Sequence, residues 1–427
     1  MKLERRTEAT ALALLRMVND YQIILGVLLW YMSLLRYNPT PPDLLTRLSY
    51  QQLDSLHALR GFCAFYVVVF HAKFVLWSGG SAYLAAFPRA SWSVVQYLGF
   101  AADLLCGAGM EMVVFFFVLS GFFIRYAQSK KHRAAGQFYL NRAVRIFPPY
   151  LVSLGLSSAV LAYLATRHAS LLAPAIPARE LNTGLAEAWR QLRHLTPAGV
   201  GRALLFLRSE GHFWGYNGVY WSLFPEALFY VLVPFAFRQV RLYYTVSATL
   251  YLMGLLGANL PLHLDALSEF LFQYNAYFAL GMALYDVVTA RPGWLQAFRR
   301  VCGYTLAVGG LVLWSLLFVL AALGLKTVSA PLAAVLAVAS VSVLLAGRVG
   351  AQHWPVRFFH HIGPYSFSLY LYHFPLLLLC YPVVVAITGA PVAYTRYYWL
   401  AVPVVTAGCY ALYLVTERLA IRYFRGI

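Results

Sequence analysis

The feature that most constrains the fold is a series of apolar segments, each long enough to cross a hydrocarbon core of about 30 Å as a helix. Ten such segments follow residue 53, at residues 54–77, 108–127, 147–166, 219–237, 242–261, 269–289, 302–323, 329–346, 364–388 and 397–417. The sequence therefore predicts an all-α polytopic membrane protein with about ten transmembrane helices.

Composition supports this class, because 61% of the 427 residues are hydrophobic and only 11% are charged. The net charge of +18 is carried by short basic clusters between apolar runs, as in loops that set membrane topology, so no nucleic-acid partner is expected. The five cysteines are an odd number and include no CxxC pair, so neither a disulfide framework nor a metal site is predicted.

The distribution of Lys and Arg predicts the orientation of the chain. With the long loop at 167–218 set aside, the segments on one side carry 17 basic residues after residue 52 and the loops on the other side carry 4. The positive-inside rule places the richer side in the cytoplasm, and with it the C-terminus. We expect a multi-pass protein of the inner (cytoplasmic) membrane whose 167–218 loop is extracytoplasmic, with residues 180–194 forming a lid or interfacial helix.

Two units are expected. Residues 1–52 form an N-terminal cytoplasmic or interfacial segment, in which the apolar run 21–35 would span only about 22 Å as a helix. An interfacial or re-entrant helix is therefore preferred to an eleventh crossing. Residues 53–427 form the membrane domain.

The first apolar segment carries two ionisable residues, Arg60 and His71. At 100° per residue their eleven-residue separation is three turns plus about 20°, so both side chains leave one face of the helix, roughly 16 Å apart. Ionisable groups at membrane depth are costly and usually functional. The pair predicts a polar line from one surface to a buried reaction centre.

Three later segments place polar groups at a similar depth. Depth counts from the two surfaces bring Ser120 in FFFVLSGFFI, Glu226 in WSLFPEALFY and His373 in SLYLYHFP to the depth of His71. Tyr230 shares a helix face with Glu226, and Tyr370 shares one with His373. A carboxylate in hydrocarbon favours function or ion pairing.

Two of these residues have structural alternatives. Ser120 would more often be a packing residue beside Gly121. His373 precedes Pro375 and could serve only to bond backbone that the proline leaves free.

Arg142 and Arg145 in RAVRIFPPYL lie three residues apart at the predicted cytoplasmic mouth. Neighbouring guanidiniums on a helix are suited to phosphates. Plain positive-inside anchoring is an equal alternative.

Five motifs in this order make residues 53–420 similar to the acyltransferase 3 family of integral membrane O-acyltransferases. They are LRG with ten residues between Arg60 and His71, FFFVLSGFFI, RAVRIFPPYL, WSLFPEALFY and SLYLYHFPL. The resemblance implies an acyl-CoA donor, acetyl-CoA in the first instance, bound from the cytoplasm, and an acceptor hydroxyl on an extracytoplasmic saccharide.

The resemblance also implies residue roles. His71 would be the catalytic histidine, with Arg60 in the same motif, and Arg142 and Arg145 would contact the CoA phosphates. Glu226 would be the buried acid of its helix.

The chain departs from the family pattern at two places. His57 stands where an aspartate often precedes LRG, with Asp54 one turn earlier. Val114 stands where an acid often precedes FFVLSG, with Glu111 earlier in the helix.

These features predict a mechanism in which His71 acts as general base on the acceptor hydroxyl. Glu226 could orient the imidazole, and Ser120, Tyr230 or Tyr370 could donate to the oxyanion. An acyl-histidine intermediate is left open.

Trp214 and Trp221 would stack on the acceptor sugar, although an interfacial aromatic belt is an equal explanation. Glycan synthesis or export proteins are expected partners. Two alternatives are a transporter or exporter of glycan or acyl groups without covalent catalysis, and another type of membrane-bound O-acyltransferase, which is disfavoured for lack of an asparagine-rich helix.

Overall fold

The computed structural model describes residues 48, 50–131, 133–173, 179–261, 264–350 and 352–423. These residues form helices joined by turns and short loops, with no strand among them, which confirms the all-α prediction. The helix predicted within residues 21–35, and most of the segment 1–52, lie outside the described residues.

We number the α-helices of the described residues in chain order. They are α1 (Tyr50–Leu76), α2 (Gly80–Ala86), α3 (Val94–Leu105), α4 (Gly109–Lys131), α5 (Ala135–Arg167), α6 (Glu180–Arg193), α7 (Pro197–Leu204), α8 (Leu223–Arg238), α9 (Val240–Leu255), α10 (Asp265–Glu269), α11 (Asn275–Ala290), α12 (Pro292–Arg300), α13 (Gly303–Ala322), α14 (Lys326–Leu345), α15 (Trp354–Ile362), α16 (Ser366–Thr388), α17 (Tyr398–Val415) and α18 (Glu417–Tyr423). One π-helical turn, Phe270–Tyr274, joins α10 to α11.

Eight helical stretches in the described part are long and apolar enough to cross a membrane. They are Gln52–Leu76, Val94–Lys130, Ala135–Arg167, Gly218–Arg238, Gly303–Ala322, Lys326–Leu345, Trp354–Thr388 and Tyr398–Tyr423. The predicted spans 242–261 and 269–289 also fall on helices, but α9 has only 16 residues and α11 carries several polar side chains. The count of about ten is therefore not confirmed.

The polar residues of α11 are tolerated because the helix is buried from Asn275 to Thr289. The amide of Asn275 accepts a hydrogen bond from Tyr243 at 2.8 Å and donates one to Ser247 at 2.8 Å. A helix enclosed by other helices can satisfy polar groups within the protein, so it does not need the apolar surface of a lipid-facing span.

The same logic holds for Asp286, near the other end of α11. Its carboxylate pairs with Arg125 at 2.7 Å and accepts a hydrogen bond from Tyr244 at 2.8 Å. This buried ion pair joins α11 to α4, and Tyr244 adds α9 to the network.

Helices α16 and α1 each pack against several other helices, and together they position the candidate site. Helix α16 packs against α1, α5 and α17, and α1 also packs against α4 and α15. The LRG glycine, Gly61, permits the last contact, since a Cβ there would lie 2.0 Å from the carbonyl oxygen of Phe359 in α15. Helix α13, by contrast, exposes most of its surface, as expected for a lipid-facing helix.

The long loop folds over the C-terminal end of α1. Its helix α6 begins at Glu180, as the sequence predicts. Just before it, the guanidinium of Arg179 donates to the carbonyl oxygens of Phe74 at 2.7 Å and Trp77 at 2.9 Å. These bonds cap orphan carbonyls at the end of α1 and fix the loop above it. We call this end of the bundle the loop side.

Candidate active site

The centre of the candidate site is a pair of histidines on adjacent helices. The Nδ1 atom of His71 in α1 lies 2.9 Å from the Nε2 atom of His373 in α16. The two rings are 5.0 Å apart at their centroids and inclined by 30°. His373 is fully buried, whereas His71 is partly exposed. The sequence predicts both residues at one depth, and the structure brings them into direct contact.

Aromatic rings enclose the histidine pair towards the loop side. Phe374 lies 5.3 Å from His71 between ring centroids, and Tyr216 of the long loop lies 6.1 Å from Phe374. Helix α6 packs closely against Tyr216, since a Cβ at Gly184 would come within 2.3 Å of the tyrosine ring. The loop thus reaches the histidine pair through Tyr216 and Phe374.

A cluster of cations lies further along the polar line, towards the N-terminal end of α1. Arg60 of α1 interacts electrostatically with Arg145 of α5, and Arg142 interacts with Arg145 as well. None of the ion pairs found in the described part of the chain includes these three guanidiniums. Carboxylates act on two of them without direct ion pairing, Glu417 and Glu226 on Arg60 and Glu226 on Arg142.

Arg142 has a buried hydrogen-bond donor without a partner in the described part of the chain. Its Nη2 atom donates to the side chain of Asn141 at 2.8 Å, but its Nε atom is buried without a hydrogen-bond partner among the described residues. The guanidinium also lies 5.7 Å from the ring centroid of Tyr230. A buried, unpaired donor beside other cations is a costly arrangement that an anionic group would relieve.

Glu226 lies within this cationic cluster. It accepts a hydrogen bond from the hydroxyl of Tyr230, one turn later on α8. Its charge interacts with Arg60 and Arg142, and Tyr230 interacts with Ser120 of α4. The structure therefore brings Ser120 and Glu226, which the sequence predicts at one depth, together with Tyr230.

Tyr370 connects the cluster to the histidine pair. Its ring lies 6.1 Å from that of His373, and its hydroxyl interacts electrostatically with Glu226. The hydroxyl donates to the carbonyl oxygen of Val219 at 3.0 Å and lies 2.7 Å from Oγ of Ser222. A line of polar side chains thus runs from the arginines to the histidines, although the Tyr370 proton is already engaged by Val219.

The partner of His71 differs from the one that the sequence suggests. The sequence offers a carboxylate, Glu226, as the group that orients the imidazole, but the side chain bonded to Nδ1 of His71 is His373. Glu226 is bonded to Tyr230 instead. The residue counts along each helix place the groups at a common depth but do not fix which faces meet.

The two tryptophans expected near the acceptor make contacts within the protein. The indole of Trp214 donates to Oγ of Ser158 at 2.7 Å. Trp221 packs against Phe117 at 6.1 Å and Tyr274 at 5.4 Å. Both indoles are partly buried.

Asp54 and Glu111, the two acids that lie before the positions of the family pattern, contact other side chains of the protein. Asp54 lies 3.0 Å from Nε2 of His360 in α15, and the buried carboxylate of Glu111 accepts a hydrogen bond from Ser329 at 2.6 Å. His57 packs over Phe123 at 5.9 Å, and its Nδ1 atom is buried without a partner in the described part of the chain.

Sequence reasoning misses the residues that join the loop to the site. Phenylalanine is common in apolar segments, so nothing in the sequence marks Phe374 itself as part of a site. The sequence feature that could have pointed to it is the adjacent histidine, His373. Arg179 counts in the sequence only as a loop charge, although four backbone carbonyls surround it: those of Phe74, Val75, Trp77 and Pro391.

A hydrogen-bonded contact between a glutamate and a histidine joins two parts of the long loop near Tyr216. Oε2 of Glu187 lies 2.6 Å from Nε2 of His212, and the His212 ring is 5.6 Å from that of Tyr216. The hydrogen bond from His212, and then its charge, lower the pKa of Glu187. We call the pair of Glu187 and His212 the latch of the long loop.

The described residues include no group of three or more His, Cys, Asp or Glu side chains that could hold a metal ion.

Comparison with known proteins gives one match. A family model described as an acyltransferase domain, the acyltransferase 3 model, matches residues 53–414. Neither the curated proteins nor the solved structures returned a match.

Proposed function

Because this chain belongs to the acyltransferase 3 family of membrane acyltransferases, we propose that it transfers an acyl group from cytoplasmic acyl-CoA to a hydroxyl of an extracytoplasmic saccharide. Acetyl is the acyl group that we expect. The observation that carries the proposal is the polar line itself, which begins at arginines that form no ion pair in the described part of the chain and ends at the histidine pair beneath the long loop.

The donor site is the cation cluster. Arg142 and Arg145, with Arg60 beside them, supply positive charge for the phosphates of CoA, and Nε of Arg142 is a donor without a partner in the described part of the chain. CoA is too highly charged to cross lipid, so these groups would hold it at the surface. The extended pantetheine arm would then carry the thioester along the polar line to His71.

The chemical step uses His71 as a general base. The imidazole removes the proton from the acceptor hydroxyl as its oxygen attacks the thioester carbonyl. A carbon–oxygen bond forms, the carbon–sulfur bond breaks, and the proton on His71 passes to the departing CoA sulfur. The products are the O-acyl ester and free CoA.

Glu226 tunes the donor end of the path in this account. Its carboxylate is a negative charge that acts on both Arg60 and Arg142, and Tyr230 holds it in place. Ser120 remains a candidate donor to the oxyanion. Tyr230 and Tyr370 are weaker candidates, because their hydroxyl protons are bonded to Glu226 and to Val219.

The acceptor enters from the loop side, where Tyr216 and Phe374 lie between the loop and His71. Trp214 and Trp221 are proposed to contact the sugar. We propose that the cation cluster and the C-terminus face the cytoplasm of a cell whose inner membrane holds the protein, because the segments on that side are the richer in Lys and Arg. Proteins that synthesise or export the glycan are proposed partners.

The orientation and the reaction are tested together with sealed membrane vesicles. Inside-out vesicles from cells that produce the protein expose its cytoplasmic face, whereas right-side-out vesicles do not. With labelled acetyl-CoA added outside, we expect labelled ester in inside-out vesicles only, and none with His71→Ala. Ester formation in intact right-side-out vesicles would overturn the orientation, and label that enters vesicles without forming ester would favour a transporter.

A further inference from the structure

We infer that His373 is a positioning residue that fixes the tautomer of His71, so that Nε2 of His71 is the atom that takes the proton. This inference rests on the proposed function of His71 as a general base. It assigns a role to a side chain that the reaction scheme does not otherwise use.

The tautomer follows from a chain of two hydrogen bonds. Nδ1 of His373 lies 2.8 Å from the carbonyl oxygen of Leu369, which can only accept, so this nitrogen must carry a proton. In a neutral imidazole the other nitrogen, Nε2, is then an acceptor. It lies 2.9 Å from Nδ1 of His71, which must therefore be the donor. Neutral His71 is left with an unprotonated Nε2.

A structural explanation for His373 is disfavoured by the backbone around Pro375. Proline at 375 removes the hydrogen bond to the carbonyl of Leu371, four residues earlier. That carbonyl is satisfied by Ser153 at 3.1 Å and by the amide of Asn217 at 3.1 Å. His373 bonds Leu369 instead, so it is not needed to repair the proline.

The position of His373 also suits the charge that develops during the reaction. When His71 accepts a proton it becomes an imidazolium, and its Nδ1–H bond to a neutral imidazole strengthens as a charge-assisted hydrogen bond. No carboxylate in the described part of the chain interacts with either ring. His373 therefore occupies the place that an acid holds in a Ser-His-Asp triad, but without a fixed negative charge.

The backbone of Val67, four residues earlier on α1, also interacts with His71. A backbone carbonyl cannot move with the His71 ring, whereas the hydrogen bond to Leu369 holds the His373 side chain in one orientation. The inference requires that Val67 alone does not suffice.

The first test measures the tautomer without any turnover. In protein labelled with ¹⁵N-histidine, the His71 signals are identified by their loss in His71→Ala. We expect Nδ1 of His71 and Nδ1 of His373 to be protonated, and Nε2 of His71 to be unprotonated at neutral pH. A protonated Nε2 on His71 in the wild type would overturn the inference, whatever the enzymatic activity.

The second test compares two substitutions of His373 in the transfer of acetyl from acetyl-CoA. His373→Gln places an amide oxygen near the position of Nε2 and keeps an acceptor, whereas His373→Leu keeps volume and removes it. We expect His373→Leu to lower kcat about 100-fold, within the usual contribution of general-base catalysis, with KM for acetyl-CoA unchanged. His373→Gln should recover at least about a tenth of the wild-type kcat, since restoring the acceptor restores the tautomer.

Controls separate this inference from the function on which it rests. His361→Leu, at an exposed position of α15, should leave kcat unchanged. If His373→Leu and His373→Gln lose equal activity, or if His373→Leu retains it, His373 does not act through an acceptor atom. If the wild type and His71→Ala transfer acetyl equally, the proposed function fails while the tautomer measurement still stands.

Discussion

Gly121 of α4 and Gly281 of α11 lie where the two helices come into backbone contact, and neither position has room for a side chain. A Cβ on Gly121 would lie 2.0 Å from the carbonyl oxygen of Phe278, and one on Gly281 would lie 1.9 Å from that of Val118. Ser120 is the neighbour of Gly121, so this close approach sets where the hydroxyl lies beside Tyr230.

We expect Gly121→Ala to destabilise the protein, because the two helices must separate or bend to admit the methyl group. Overpacking of this kind costs about 1–3 kcal/mol, occasionally more. Thermal unfolding of purified protein in detergent measures the change. Gly309→Ala in α13 is the matched control, since no atom of the described residues beyond its own stretch of helix lies within 4 Å of its Cβ position. An equal unfolding temperature for Gly121→Ala and the wild type would contradict the packing.

The positions of the helices are easier to predict from the sequence than the contacts between them. Long apolar segments and paired basic loops are local signals, so the helix positions and the fold class are predictable from the chain. The burial of α11 is not, because its polar residues are satisfied by Tyr243, Ser247 and Arg125, which are distant in sequence. For the same reason the number of crossings stays open.

The candidate site is predictable to a similar extent. Helical spacing places His71, Glu226 and His373 at one depth, but the contact between the two imidazoles depends on how α1 rotates against α16. That rotation is set by packing, as at Gly61 against α15. The loop residue Tyr216 is also beyond local signals, because its contact with Phe374 joins residues far apart in the chain.

The arginine cluster gives a prediction about donor binding. Arg142→Ala and Arg145→Ala should each raise KM for acetyl-CoA about tenfold or more, since a hydrogen bond to a charged group contributes about 1.5–3 kcal/mol. Initial rates of CoA release at varied acetyl-CoA measure this. Arg238→Ala, at the exposed end of α8, should leave KM unchanged. A uniform effect of all three substitutions would indicate a general charge effect instead of a binding site.

The latch of the long loop gives a prediction about pH. Because the pKa of Glu187 is lowered in the folded protein, the latch contributes stability above the ordinary pKa of a glutamate. That contribution is lost as the pH falls through the lowered value. Hydrogen exchange of α6 should therefore quicken on acidification into this range.

Glu187→Gln supplies the control for the latch. It removes the titrating carboxylate, and with it the attraction to His212 and to Arg190, whose Nη2 atom lies 3.8 Å from Oε1 of Glu187. Exchange in the variant should be fast at neutral pH and should change little on acidification. If the variant shows the same acid-dependent exchange as the wild type, another group controls the loop.

The most direct test of the account is CoA release by purified protein in detergent, with acetyl-CoA as donor and a simple methyl glycoside as acceptor, compared between the wild type and His71→Ala. Loss of a general base predicts a fall in kcat of about 10²–10⁴-fold, with KM for acetyl-CoA unchanged, because the arginine cluster that binds the donor is intact. Equal turnover by both proteins would contradict the central claim that His71 is the base.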